Sequence, residues 1–244
     1  MTLRSSIITL FLLLASGAQA QSTVPEATPM GLLAGRELLA EVLDALGGEE
    51  AWEAVKAYAS EGTTGMSSMV GEVSIQSASV VRGTGEIRVE QSTPVGDALI
   101  LVRGETVTLE VEGRRQIPSP EASGVRAQLL FSVPYVLAHR ETLSMNRIAD
   151  RPGGLPVLRF RAPGVEPLYD LILSTDRRPL RIESIQASAM GPGYFAYSFS
   201  DYREIGGLQI PFRTEQRVDD MLLTTSILTR FTANPEIPAG AFGG

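Results

Sequence analysis

DALILVRGETVTLEVEG, residues 97–113, holds the pattern from which the fold can be read. Val107, Leu109 and Val111 alternate with Thr108 and Glu110, the period of a strand with one face on a core and one in water. Ahead of them the apolar run Ala98–Val102 ends at Arg103-Gly104-Glu105, and a glycine between two such runs is a turn signal. The two segments predict a β-hairpin. Upstream, Val73 and Ile75, then Ile87 and Val89, keep the same period of two.

The same grammar resumes downstream in LPVLRFRAP (155–163), EPLYDLILSTDRRPLRIESIQ (166–186), GYFAYSFSDYREIGGLQIPFRTEQ (193–216) and MLLTTSILTRFTA (221–233). Turns fall at Thr175–Pro179, Ile205–Gly207 and Val218–Asp220. Strands joined this tightly must be antiparallel, because a parallel crossover needs a dozen or more residues, and roughly nine to eleven strands are expected. The predicted class is mainly β with some helix (α+β): one large curved antiparallel sheet, or an incomplete β-barrel.

Two helices precede the strands. Thr28-Pro29 offers a start, and Leu38, Leu39, Val42, Leu43 and Leu46 then fall on one face of a 3.6-residue repeat, ended by Gly47-Gly48. A second helix is predicted from Glu49 to about Ala59, with Trp52 and Val55 facing inward. Before these, Arg4, the apolar run Ile7–Ala15 and Ala18-Gln19-Ala20 compose an export signal with a small-x-small cleavage site, so residues 1–20 are read as cleaved. The run is about half the ~18–20 residues that span a bilayer. No cysteine follows for lipidation, and no later run is long enough to span. Residues 21–30 read as a disordered leader, and 31–244 as a single domain.

One segment breaks the β grammar. GVRAQLLFSVPYVLAHRETL, residues 124–143, is dense in apolar side chains, and Pro134 forbids one continuous regular helix. Two short helical pieces are expected, either as a plug closing one end of the core or as a mobile apolar lid.

Composition narrows the chemistry. The formal net charge of −7 points away from nucleic acid and anionic membrane surfaces. With no cysteine there are no disulfides, and an apolar fraction of 43% must hold the fold alone. His139 is the single histidine and no G-x-S-x-G elbow accompanies it. Zinc sites built on His and Cys are excluded, no D-x-[DN]-x-[DN]-G calcium loop is present, and Asp219-Asp220 reads as a turn. Gly83-Thr84-Gly85 lacks the context of a nucleotide loop. No cofactor or metal is expected, and no catalytic residue is assigned. A glycosidase-like pair of carboxylates distant in sequence stays open.

Asp201-Tyr202-Arg203-Glu204 looks like an active-site cluster until parity is applied. Phe195, Tyr197 and Phe199 share one strand face, which Asp201 and Arg203 continue toward the turn; on the return strand Leu208, Ile210 and Phe212 share a face. Aromatic residues giving way to charges describe a strand leaving an apolar interior, with the charges at its wet end.

Several phrases resemble the LolA/LolB periplasmic lipoprotein carriers: STDRRPLRIESI (174–185), FSDYREIGGLQIPFRTEQRVDDMLLTTSILTRFTANPEIPAGAF (199–242), DALGGEEAWEAVKAYASEG (44–62) and GEIRVEQSTPVGDALILVRGETVTLEVEGRRQIPSP (85–120). The resemblance implies an incomplete antiparallel barrel with helices on its concave side around an apolar cavity. It implies a periplasmic location, and lipid or lipoprotein acyl chains as partners. Related folds act as envelope sensors that bind a protein, which supplies the alternative. A hydrolase of envelope material is the third reading. On the carrier reading the expected cavity lining is Ile87, Val89, Leu99, Leu101, Leu109, Leu171, Leu173, Phe195, Tyr197, Phe199, Ile210 and Phe212, with Leu130, Phe131 and Leu137 on the lid.

Overall fold

Alternating strands joined by tight turns produce one sheet. The computed structural model describes residues 29–68, 71–83, 85–94, 96–104, 106–112, 114–115, 127–188 and 191–243. The expected export signal, most of the leader and the first part of the insertion lie outside these residues.

Thirteen strands form the sheet among the described residues: β1 (Ala57–Ser68), β2 (Gly71–Arg82), β3 (Glu86–Thr93), β4 (Gly96–Arg103), β5 (Thr106–Val111), β6 (Arg114–Arg115), β7 (Ser144–Arg151), β8 (Leu155–Arg161), β9 (Tyr169–Leu173), β10 (Pro179–Ser188), β11 (Gly191–Ile205), β12 (Leu208–Val218) and β13 (Met221–Ala233). Their spatial order is β6-β5-β4-β3-β2-β1-β13-β12-β11-β10-β9-β8-β7. Every neighbouring pair is antiparallel, β1 on β13 included. The sheet is a meander whose first and last strands meet in the middle and whose edges, β6 and β7, are adjacent in sequence. The insertion joins those two edges.

The count exceeds the nine to eleven expected. β7, SMNRIADR, escapes sequence reading because only Met145, Ile148 and the small Ala149 are apolar among charged and polar neighbours, the composition that protects a sheet edge. β6 is two residues long.

Helix α1 (Pro29–Ala45) starts and stops as expected. Gly35 lets it approach β7 closely: a Cβ there would sit 3.0 Å from the Asn146 Cα and the Met145 carbonyl oxygen. Helix α2 (Glu49–Glu53) is shorter than predicted. Tyr58 and Ala59 belong to β1, because pairing with Val81 and Ala233 for Tyr58, and with Val80 and Thr232 for Ala59, outweighs helix propensity. The Trp52 indole N–H donates to the Leu46 carbonyl at 3.1 Å and ties the two helices together.

The insertion is helical at residues 127–129 and again in α3 (Val133–Ala138), followed by a 3-10 turn at Arg140–Thr142. Ser132 caps α3, and Pro134 occupies its first turn, where a missing N–H costs nothing. This is the two-piece form the proline demands. Leu38, Val42 and Leu43 of α1, Leu46 just after it, Trp52, Leu130, Phe131, Val133, Val136 and Leu137 join the inward side chains of the sheet in one contiguous core. We call the sheet face that meets this core the inner face.

Candidate functional site: the inner face of the sheet

Strand parity assigns the faces. On β3, Ile87 is buried in the core and Val89 packs against it; opposite them on β4 stand Val102 and Ile100, and opposite these on β5, Val107 and Leu109. Leu171 and Leu173 on β9, Phe195, Tyr197 and Phe199 on β11, and Ile210 and Phe212 on β12 complete the inner face. Two expected lining residues are misplaced. Leu99 and Leu101 pair with Glu90 and Arg88, and with Glu110 and Thr108, so both lie on the outer face. The hairpin register that puts Val102 beside Val107 forces this alternation.

Leu130, Phe131 and Leu137 reach from the insertion into the middle of the inner face, each no more than 2% exposed. Phe131 stacks on Tyr197 with centroids 4.2 Å apart and meets Tyr169 edge-on at 5.2 Å. Tyr169 in turn stacks on Phe160 at 5.2 Å. Such offset and edge contacts add about 0.5–1.5 kcal/mol each beyond burial.

A chain of polar groups runs through this apolar layer. The Tyr197 hydroxyl donates to Gln128 Oε1 (2.8 Å), Gln128 Nε2 to Gln186 Oε1 (3.2 Å), and Gln186 Nε2 to the Tyr169 oxygen (3.2 Å). The Tyr169 hydroxyl closes the chain on the Ala127 carbonyl at 2.9 Å. Each buried polar atom named here has a partner, as burial requires. Sequence reading missed Gln128, Gln186 and Tyr169; the available signal was parity, since Gln186 shares a face with Ile182, two turns of the pleat earlier. Burial pushes the Tyr169 and Tyr197 phenols far above their ordinary range, so they act as hydrogen-bond donors and not as bases.

The far end of the insertion is clasped as well. The ring nitrogens of His139 face the carbonyl oxygens of Tyr135, at 2.8 Å, and of Gly83 in the β2–β3 turn. The imidazole thus sits between two backbone carbonyls and donates to one of them in either neutral tautomer. Arg140, 6% exposed, donates to the Leu137 carbonyl and approaches the Glu53 carboxylate of α2 at 3.7 Å. The described part of the insertion is packed as a plug, with Leu130, Phe131 and Leu137 in the core against the inner face.

Several acidic and basic groups elsewhere form ion pairs. Asp201 and Arg203 pair at 2.6 Å at the exposed end of β11, and the Arg203 guanidinium lies 4.4 Å from the Phe212 ring centroid. Its hydrogen bond to Arg203 holds the Asp201 carboxyl below its ordinary value. On the outer face of β7–β10, Arg159 chelates Asp170 (2.6 and 2.9 Å), Arg151 bridges Asp170 and Glu183 (3.1 and 3.2 Å), and Arg181 meets Glu183 at 2.6 Å. Hydrogen bonding to Asp170 raises the Arg159 value further. Among the described residues no group of three or more His, Cys, Asp or Glu side chains is placed to hold a metal.

Two open depressions accompany these features. One of about 580 Å³ lies at the β8–β9 loop beside Arg161, Gly164 and Glu166. The other, about 890 Å³, is lined by outer-face residues of β1–β5 including Glu61, Ala78, Arg88, Glu90, Leu99 and Glu110. No described helix is long and apolar enough to cross a membrane.

No protein-family model matches the chain, and no curated protein matches its sequence. Solved structures do match its fold. An outer-membrane lipoprotein-sorting protein domain from Vibrio parahaemolyticus superposes with a TM-score of 0.56 over 86% of this chain and 97% of that one, at 10% identity. A LolA-superfamily protein from Nitrosomonas europaea gives 0.57 over 83% and 96%, at 12% identity. A DUF1329-family protein from Desulfovibrio piger gives 0.57 over 87% and 97%, at 10% identity. The resemblance expected from the sequence thus holds at the level of architecture, and the chain has the fold of the LolA-superfamily and lipoprotein-sorting structures.

Proposed function

We propose that this protein is a non-enzymatic periplasmic carrier that holds an acyl chain, of a lipid or a lipoprotein, against the inner face of its sheet. The observation that carries the reading is the insertion. Leu130, Phe131 and Leu137 cover a continuous apolar face, yet the segment is a separate element between the two sheet edges, fastened by the side chains of Gln128 and His139. Swinging it aside would expose the inner face without breaking a strand pair. Each methylene of a chain that took its place would gain about 0.8 kcal/mol by leaving water. The likeness to a lipoprotein-sorting domain supports the same reading.

A fluorescent fatty acid tests this. The carrier reading expects saturable binding, one chain per protein, abolished when cysteines replacing Gln128 and Gln186 are bridged by a short bifunctional thiol reagent. Binding that survives the bridge would place the lipid elsewhere. A second reading, an envelope domain that binds a protein partner through the same fold, is favoured by the filled interior. It expects no fatty-acid binding, and a partner recovered by crosslinking in the periplasm.

A further inference from the structure

The segment after β13 returns across the outer face of the sheet. Asn234 starts the reversal with a left-handed φ of 49°, directly before Pro235. Its Oδ1 accepts from the backbone N–H groups of Lys56 (2.8 Å) and Ala57 (3.2 Å), and its Nδ2 donates to the Ala54 carbonyl at 2.8 Å. Residues 235–243 then form a strap over β2, β3 and β4. Phe242 is 4% exposed, the one residue of 234–243 that is buried.

Four outer-face side chains receive the strap. The Arg82 guanidinium lies 4.8 Å from the Phe242 ring centroid, Arg88 donates to the Ala241 carbonyl (2.9 Å), and Arg103 to the Gly243 carbonyl (2.6 Å). Leu101 lies beneath Gly243. Arg88 and Arg103 recognise main-chain carbonyls, and the single side chain read in depth is a phenyl ring. The strap folds locally as well, with the Ala241 N–H on the Pro238 carbonyl and the Gly243 N–H on the Gly240 carbonyl. Everything that seats residues 238–243 is therefore carried by those residues and the groove, with residues 235–237 acting as tether.

We propose that the outer face of β2–β4 is a peptide-docking groove occupied by the chain's own strap, and that it accepts the same segment from a second copy. Such an exchange uses identical contacts in both states, so its balance rests on the tether. A proline disfavours the left-handed conformation of the residue before it, while the hydrogen bonds of Asn234 to residues 54–57 hold it, and these opposing terms set the balance between the closed and the exchanged strap. The product is a two-fold dimer in which each copy gives and receives a strap.

The test uses the full chain carrying Phe242→Ala, which leaves the groove without its anchor, and a labelled peptide PEIPAGAFGG. Saturable binding to F242A, at least tenfold weaker binding to the unaltered chain, and a tenfold loss when Arg88→Ala and Arg103→Ala are added support the groove. Folded F242A that ignores the peptide overturns it, as does equal binding by both chains. Should F242A fail to fold, hydrogen exchange on the unaltered chain answers the same question. Excess peptide must raise exchange over 238–243, and no change refutes displacement. For the exchange itself, tagged and untagged copies mixed at high concentration are expected to form mixed dimers that F242A does not form. Monomers throughout would overturn it.

Discussion

Phe131 and Asp201 show how differently two conspicuous residues can count. Phe131 stacks on Tyr197 of β11, meets Tyr169 of β9 edge-on and is almost fully buried, so Phe131→Ala is expected to cost about 3–5 kcal/mol in denaturant unfolding. Asp201 is exposed, pairs with Arg203 in water and should leave the melting temperature unchanged as Asp201→Asn. The tyrosines add a pH signature. Burial raises Tyr58, Tyr169, Tyr197 and Tyr202 above the ordinary phenol value. The unfolded chain therefore loses these protons first. Their stabilising contribution is complete below about pH 10 and is lost as pH rises beyond it. Alkaline titration followed by ultraviolet absorbance should show these four ionising only together with unfolding; reversible ionisation in the folded state would contradict their burial. At this scale the sequence was legible where an aromatic stripe met charges, as at Phe195–Arg203. It was misleading at Leu99 and Leu101, where five apolar residues in a row hide the period. Only the hairpin register, through Val102 and Val107, separates the two faces there.

Elements were easier to read than the way they meet. The α1 stripe and its glycine stop are visible in sequence, but the reason for two glycines is not. Gly47 has φ 116°, and a Cβ on it would lie 2.2 Å from the Gly207 carbonyl oxygen in the β11–β12 turn. The Gln209 N–H also donates to the Leu46 carbonyl at 3.1 Å, so the helix end and the hairpin are joined. Gly48, φ 95°, has open space around it. Gly47→Ala should therefore destabilise by more than about 1 kcal/mol and clearly more than Gly48→Ala, which bears backbone strain alone. Equal losses in thermal unfolding would mean that the close approach is not rigid. β7 was missed because an edge strand under a helix needs few apolar residues of its own. Helix α2 was overextended because Tyr58 and Ala59 suit either state until strands β2 and β13 claim them.

For the whole molecule, the alternation that predicted one antiparallel sheet extends to all thirteen strands: short connections fix the neighbours within β1–β6 and within β7–β13, and the pairing of β1 with β13 joins the two halves. What the pattern could not supply was the state of the interior. Apolar residues facing inward read the same whether they meet a ligand, a void or the chain's own insertion, and here Leu130, Phe131 and Leu137 occupy the space. The carrier reading therefore makes the insertion the exchangeable part of the core and the sheet its fixed part. Native mass spectrometry of the full chain, isolated without detergent from the periplasm of a Gram-negative host, tests this most directly. A carrier is predicted to show, beside the bare protein, a population heavier by the mass of one acyl lipid, lost when the insertion is bridged to β10. Bare protein alone, unchanged after incubation with lipid, would contradict it.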